Sequence, residues 1–176
     1  MSIRKAQGFA LIDLVFVCGV IGLLASIAMP RLILAKQQAG AASAIGSMRV
    51  INSAQLTYAL TCGAGFYAPN LTTLGTPPPG SHEAFISPNL GGSDTVIKAG
   101  YAIQMSAAPY GGAPPACNGL AAGAAGQGFV AGADPIDVGN SRFFGTNANG
   151  LIYEHTATLF GVMPEIGDSP AGHPLR

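Results

Sequence analysis

The chain has 176 residues, of which 49% are hydrophobic and 9% are charged, and it contains 25 glycines and 13 prolines. This length suits one folded domain and is short for two. Eight basic and eight acidic side chains give a formal net charge of zero, and the absence of a basic tract argues against nucleic-acid binding through a broad contact with phosphates.

The first predicted elements are a polar leader and an apolar helix. Residues 1–8 contain Arg4 and Lys5 and no acid, and residues 9–29 form an almost unbroken apolar run. At 1.5 Å per residue such a run makes a helix of about 31 Å, which is long enough to cross the hydrocarbon core of a bilayer. By the positive-inside rule, we expect Arg4 and Lys5 in the cytoplasm and the rest of the chain outside it.

Asp13 interrupts the apolar run near its start. A carboxylate at bilayer depth costs several kcal/mol, so we expect this one to have a specific partner. An alternative explanation is that an acid near a helix N-terminus is favoured by the helix dipole.

The helical pattern continues beyond the apolar run, through residues 30–61. We predict that Pro30 kinks one long helix rather than ending it, because its ring removes one hydrogen bond and crowds the preceding turn. The second half is predicted to be amphipathic, with an apolar stripe at three- and four-residue steps. The stripe comprises Leu34, Ala41, Ala44, Ile45, Met48, Ile51 and Leu56. The opposite, polar face comprises Lys36, Gln37, Ser43, Ser47, Arg49 and Ser53.

Residues 62–176 are predicted to form an extracytoplasmic β-rich region. Asn149-Gly150 between two apolar segments is a strong hairpin signal, because both residue types tolerate positive φ. The segment from Met163 onward is expected to be irregular. The predicted fold class is α+β, with the amphipathic half of the helix packed on one face of a three- to four-stranded antiparallel sheet. The strand candidates are residues 82–86, 98–107, 127–133, 142–146 and 151–156.

The three cysteines fall into two groups. Cys18 lies in the apolar run, where we expect it to act as a small hydrophobic residue. Cys62 and Cys117 lie in the remainder of the chain, and we expect them to form a disulfide if that part is exported.

The sequence from Arg4 to Leu32 resembles the N-terminus of the type IV pilin and type II secretion pseudopilin superfamily. The matching features are a short basic leader that ends at Gly8, the aromatic Phe9 directly after it, an acid at the fifth position from Phe9, and an apolar helix that reaches Pro30. The family usually has glutamate where this chain has aspartate, whose side chain is one methylene shorter.

This resemblance implies a type IV pilin-like fold and cleavage between Gly8 and Phe9 by a prepilin peptidase, usually with N-methylation of Phe9. It implies a precursor in the bacterial inner membrane, and an assembly platform that moves the subunit into a periplasmic or extracellular filament. The filament would contain copies of the chain and other pilins or pseudopilins. A buried Phe9 amine then needs an anion, and we expect Asp13 of the same or a neighbouring chain to supply it.

No residue pattern indicates catalysis or a cofactor, so we interpret the chain as a structural subunit that is not an enzyme. Asp134, Asp137 and Asn140 are weak candidates for Ca²⁺ ligands. Ordinary turn acids are the favoured explanation for them, and we expect no metal. The sequence leaves open whether the filament is a pilus or a secretion pseudopilus.

Two other interpretations remain at this stage. In one, the chain is secreted after cleavage of an ordinary signal peptide near Ser26-Ile27-Ala28, a small-x-small site. Asp13 inside the apolar region, and the length of that region, argue against it. In the other, the chain is a membrane-anchored binding protein that never polymerises.

Overall fold

The computed structural model describes residues 11–175. Its contacts divide the chain into two compact units, one of which ends at Gln38 while the other begins at Ala39. The predicted leader and the cleavage site between Gly8 and Phe9 lie outside the described residues and stay predictions.

Helix α1 spans Leu11–Thr61 and contains Pro30 in its interior. The prediction that one helix continues past this proline is therefore confirmed. Beyond Pro30 the helix contains no further proline and is rich in alanine, leucine and glutamine, which are among the best helix-forming residues.

Two short helices follow, α2 at Leu71–Leu74 and α3 at Pro88–Gly91. Asn70 caps α2, since its side-chain oxygen accepts a hydrogen bond from the backbone N–H of Thr73, which would otherwise lack a partner. Leu71 and Leu74 are both buried, so this turn of helix contributes to the core.

Six antiparallel strands form one sheet, and their order in the sheet is their order in the chain. The long helix and this sheet make the fold α+β, as predicted, although the sheet has six strands rather than three or four. The strands are β1 (Thr95–Lys98), β2 (Tyr101–Ser106), β3 (Val130–Pro135), β4 (Phe143–Asn147), β5 (Ile152–His155) and β6 (His173–Pro174).

Two of the strand candidates do not correspond to a single strand of the structure. The segment 98–107, predicted as one strand, contains a turn at Ala99 and Gly100, which have φ angles of 51° and 84°. The backbone reverses there, so the segment belongs to both β1 and β2. Residues 82–86 form no strand. The hairpin at Asn149-Gly150 is confirmed, with Gly150 at a φ of 77° between β4 and β5.

The second half of α1 packs on one face of the sheet, as predicted. Three residues of the predicted pattern are on the wrong side. Ser47 is buried, with its hydroxyl donating to the carbonyl of Ser43, whereas Leu34 and Leu56 are exposed. The buried stripe steps from 41 to 44, 48, 51, 55 and 58, which leaves position 56 on the outside. The core includes Ala41, Ala44, Met48, Ile51, Tyr58, Tyr101, Ile103, Met105, Ala131, Ala133, Phe144 and Ile152.

The opposite face of the sheet is covered by the chain that follows β5. Leu159 and Met163 pack against Val130 and Tyr153, and Phe160 lies beside them. This stretch is irregular. The segment from Met163 onward was expected to be irregular throughout, but His173 and Pro174 form β6 and pair with β5. The sequence also did not indicate that the chain after β5 forms a second core.

Two glycines allow this close packing. Gly132 and Gly145 pair across β3 and β4. A Cβ atom at Gly132 would lie 2.8 Å from the Cβ of Phe160, and one at Gly145 would lie 2.8 Å from the Cβ of Leu159. Any side chain at either position would push the covering segment away from the sheet.

We expect Gly145→Ala to lower the free energy of unfolding by about 1–3 kcal/mol, because the added methyl overpacks the contact with Leu159. Gly161→Ala is the matched control, since nothing lies within 4 Å of a Cβ placed there, and it should change stability by less than about 0.5 kcal/mol. Urea unfolding of the full chain in detergent measures both. Equal stability of the two variants would contradict the packing described here.

Candidate functional site

The first unit presents an almost continuous apolar surface. No part of its most apolar stretch is buried by the rest of the protein. By length and composition, α1 is the one helix among residues 11–175 that could cross a membrane, and it is compatible with membrane anchoring. The exposed large apolar side chains of this unit are Leu11, Ile12, Leu14, Val15, Phe16, Val17, Val20, Ile21, Leu23, Leu24, Ile27, Met29, Leu32, Ile33 and Leu34.

Asp13 lies in the first turn of α1 and is exposed. The first basic residue after it is Arg31, about 27 Å further along a helix of this rise. The described part of this unit therefore offers Asp13 no nearby cation. The amine that cleavage would create at Phe9 lies outside the described residues.

Pro30 lies where the apolar run gives way to Arg31. Since Pro30 has no N–H, the carbonyl of Ser26 does not receive the helical hydrogen bond that residue 30 would otherwise donate to it. The Ser26 hydroxyl donates to the carbonyl of Leu23 at 2.8 Å, which uses its polar group inside the apolar stretch.

The predicted disulfide is present between Cys62 and Cys117, whose Cα atoms are 4.8 Å apart. Cys62 follows Thr61, the last residue of α1, and its carbonyl accepts a hydrogen bond from the N–H of Cys117. The bridge thus ties the end of the long helix to the loop between β2 and β3. Cys18 is free and exposed.

Asp137 and Asn140 are engaged in local contacts in the loop between β3 and β4. Asp137 accepts a hydrogen bond from the N–H of Gly139, and the Asn140 amide donates to the Tyr101 hydroxyl at 2.9 Å. Within residues 11–175, the structure brings together no group of three or more histidine, cysteine or acidic residues that could hold a metal.

Asp134, the third Ca²⁺ candidate, lies in β3 and accepts a hydrogen bond from the Thr158 hydroxyl at 2.8 Å. Its other carboxyl oxygen is buried and has no hydrogen-bond partner among the described residues. Burial raises the pKa of the Asp134 carboxyl, and the hydrogen bond from Thr158 opposes this shift. Asp134 thus contributes to attaching the segment that covers the sheet.

An ion pair between Arg142 and Glu154 was not predicted. The guanidinium donates two hydrogen bonds to the carboxylate, one of them at 2.9 Å, and lies 5.4 Å from the centre of the Phe144 ring. These hydrogen bonds lower the pKa of the Glu154 carboxyl. The sequence could have indicated this ion pair, because Arg142 and Glu154 carry opposite charges on the same face of the predicted hairpin.

The buried side-chain amide of Gln55 was also not predicted from the sequence. Gln55 is fully buried in α1, and its side chain exchanges two hydrogen bonds of 2.9 Å with the backbone N–H and carbonyl of Ala68. This contact holds the chain beyond the helix against it, so Gln55 has a role in the fold.

Comparisons with protein-family models, with curated proteins and with solved structures find no match for this chain.

We expect Cys117→Ser to destabilise the second unit by about 4 kcal/mol, the loop-entropy value for a bridge that spans 55 residues. Cys18→Ser is the control and should leave its unfolding unchanged. Thiol labelling of the denatured, non-reduced wild-type protein should modify Cys18 alone, whereas labelling of all three cysteines would contradict the bridge.

We expect the melting temperature of Asp134→Asn, relative to wild type, to increase between pH 4 and pH 7. The pKa of the Asp134 carboxyl is higher in the folded chain than in the unfolded one, so wild-type stability falls as pH rises through the folded pKa. The asparagine oxygen retains the contact with Thr158 and carries no charge. Thermal unfolding between pH 4 and pH 7 measures the difference, and a gain that is constant with pH would contradict this assignment.

Proposed function

We propose that this chain is a structural subunit of a type IV pilus or type II secretion pseudopilus filament, with a pilin-like fold. The observation that carries the proposal is the exposed apolar half of α1, which has Asp13 near its start and is preceded in the sequence by Gly8 and Phe9. Under this proposal the leader is removed between Gly8 and Phe9, and the subunit enters the filament through its N-terminal helix.

The exposed apolar surface supports this function because such a surface must be covered by lipid or by other apolar helices. A monomeric soluble protein rarely exposes an apolar patch larger than a few hundred Å². A bilayer covers this helix before assembly, and the equivalent helices of neighbouring subunits cover it afterwards. The amphipathic half packs on the sheet, so the folded second unit is carried along without unfolding.

Asp13 has a specific role in this scheme. Cleavage after Gly8 leaves a charged amine on Phe9, four residues before Asp13, which is one helical turn. Each charge would be strongly unfavourable alone among apolar helices, and pairing them removes that penalty. A pair formed between Asp13 of one subunit and the amine of its neighbour sets the axial register between them.

The partners that follow are a prepilin peptidase, an inner-membrane assembly platform, and other copies of the chain or other pilins or pseudopilins. No cofactor or catalytic step is required. The disulfide and the hydrophobic clusters on both faces of the sheet are consistent with a second unit that stays folded outside the cytosol.

We expect Asp13→Asn to abolish filaments or make them sparse, because it leaves the Phe9 amine buried without an anion, at a cost of about 3–5 kcal/mol per subunit. Asp13→Glu keeps the charge with a longer side chain and should still assemble. The measurement is the yield of sheared filaments relative to the amount of subunit in the membrane, in cells that carry the assembly machinery.

Mass spectrometry of the same samples supplies the control. All three proteins should start at Phe9, with one added methyl group, so that a loss of filaments is not a failure of processing. Normal filament yield from Asp13→Asn would show that the acid does not pair with the amine. A mature protein that starts at Met29 would overturn the filament function and favour secretion.

A further inference from the structure

A cavity of about 380 Å³ lies between the second half of α1 and the hairpin turn that joins β4 to β5. Leu56 lines it from the helix, and Asn149 and Gly150 line it from the turn. Tyr67 and Phe129 also line it. All of these residues belong to the second unit, so the cavity lies within one compact body. Its volume falls in the range of about 300–1,000 Å³ that small-molecule sites usually have.

The deeper part of the cavity is aromatic. The rings of Tyr67 and Phe129 are 5.2 Å apart, with an angle of 55° between their planes. Phe129 is only 2% exposed and so lies at the bottom of the cavity, whereas Leu56 is 55% exposed and lies at its mouth. These side chains offer an apolar surface on which the C–H groups of a ligand can pack.

Hydrogen bonds hold the two sides of the cavity in place. The side-chain amide of Asn52, in α1, donates to the Gly150 carbonyl at 3.1 Å and to the Thr146 hydroxyl at 2.9 Å. The amide of Asn147 donates to the carbonyl of Gly167 at 2.7 Å. The helix and the hairpin turn are therefore fixed relative to each other, and a ligand meets a cavity that is already formed, which lowers the cost of binding.

Three uncharged polar groups at the cavity can bond a ligand. The hydroxyls of Ser53 and Tyr67 and the side-chain nitrogen of Asn149 have no hydrogen-bond partner among residues 11–175, whereas the Asn149 oxygen accepts from the N–H of Gly167. None of the described residues that line the cavity is charged. A charged ligand would lose hydration here without gaining a partner of opposite charge, so the lining favours a neutral one.

We propose that this cavity binds a neutral sugar. A pyranose ring has apolar C–H groups on its faces and hydroxyls around its edge, which matches an aromatic lining with neutral hydrogen-bonding groups beside it. An apolar side chain of another protein would cover the hydroxyls of Ser53 and Tyr67 without bonding them, which costs free energy. Sugar binding goes beyond the proposed function, which concerns only how the subunit is anchored and assembled, and it does not depend on it.

Saturation-transfer NMR of the full chain in dodecylphosphocholine micelles tests this binding. The probes are N-acetylglucosamine, galactose and mannose, with N-acetylphenylalaninamide to represent an apolar side chain, and each signal is corrected for micelles alone. Tyr67→Phe and Ser53→Ala each remove one hydroxyl, and alanine favours the helix at position 53. Tyr110→Phe is the matched control, because Tyr110 is 41% exposed and stacks on Phe66 away from the cavity lining.

We expect at least one sugar to receive saturation from the wild type and from Tyr110→Phe. Its dissociation constant should rise about two- to tenfold in Tyr67→Phe and in Ser53→Ala, the effect of losing one neutral hydrogen bond. Transfer to none of the three sugars would overturn the proposal. A dissociation constant that neither variant changes would place the sugar elsewhere on the protein and overturn it too. Transfer to N-acetylphenylalaninamide alone would assign the cavity to a protein side chain, which also contradicts sugar binding.

Discussion

The contact between the second half of α1 and one face of the sheet is the interaction on which the rest of the structure depends. Ala41, Ala44, Met48, Ile51 and Tyr58 of the helix belong to one buried cluster with residues of β2 and β3. The most apolar stretch of the first half is not buried by any other part of the protein. The same helix therefore has one half packed on the sheet and one apolar half that is exposed. The division at residue 38 reflects this change in environment, and the proposed function follows from the need to cover the exposed half.

The sheet itself is stabilised from both sides, by the helix on one face and by an irregular segment on the other. That second layer depends on Gly132 and Gly145, which leave room for Phe160 and Leu159 above the strands. Burying both faces gives the second unit a core of its own, larger than a helix on a half-exposed sheet would provide. A subunit that moves between a membrane and a polymer benefits from such a unit, because its folding then does not depend on the environment of the N-terminal helix.

Much of the fold could be predicted from the sequence because local signals and tertiary structure agree in α1, in the hairpin at Gly150 and in the pairing of Cys62 with Cys117. Short strands such as β1 and β6 contain too few residues for a periodic signal. The buried stripe of α1 depends on how the helix is rotated on the sheet, which the sequence pattern does not specify, and the prediction therefore placed Ser47 and Leu56 on the wrong side. The candidate site behaves differently. Gly8, Phe9 and Asp13 were identified from their order along the chain, and their proposed contact is between subunits or across a new terminus, which one folded chain does not contain.

The disulfide has a mechanical consequence. A pull applied to the N-terminal end of α1 is transmitted along the helix axis to Thr61, and the covalent bond at Cys62 passes the load directly to Cys117, which follows β2 in the chain. The residues between the two cysteines, which include α2, α3, β1 and β2, form a closed loop that tension cannot straighten while the bond is intact. With a sequence separation of 55 between the cysteines, the stretched polypeptide is shorter by about 180–200 Å than its reduced form. Two of the six strands, β1 and β2, are thus shielded from force that enters through the helix.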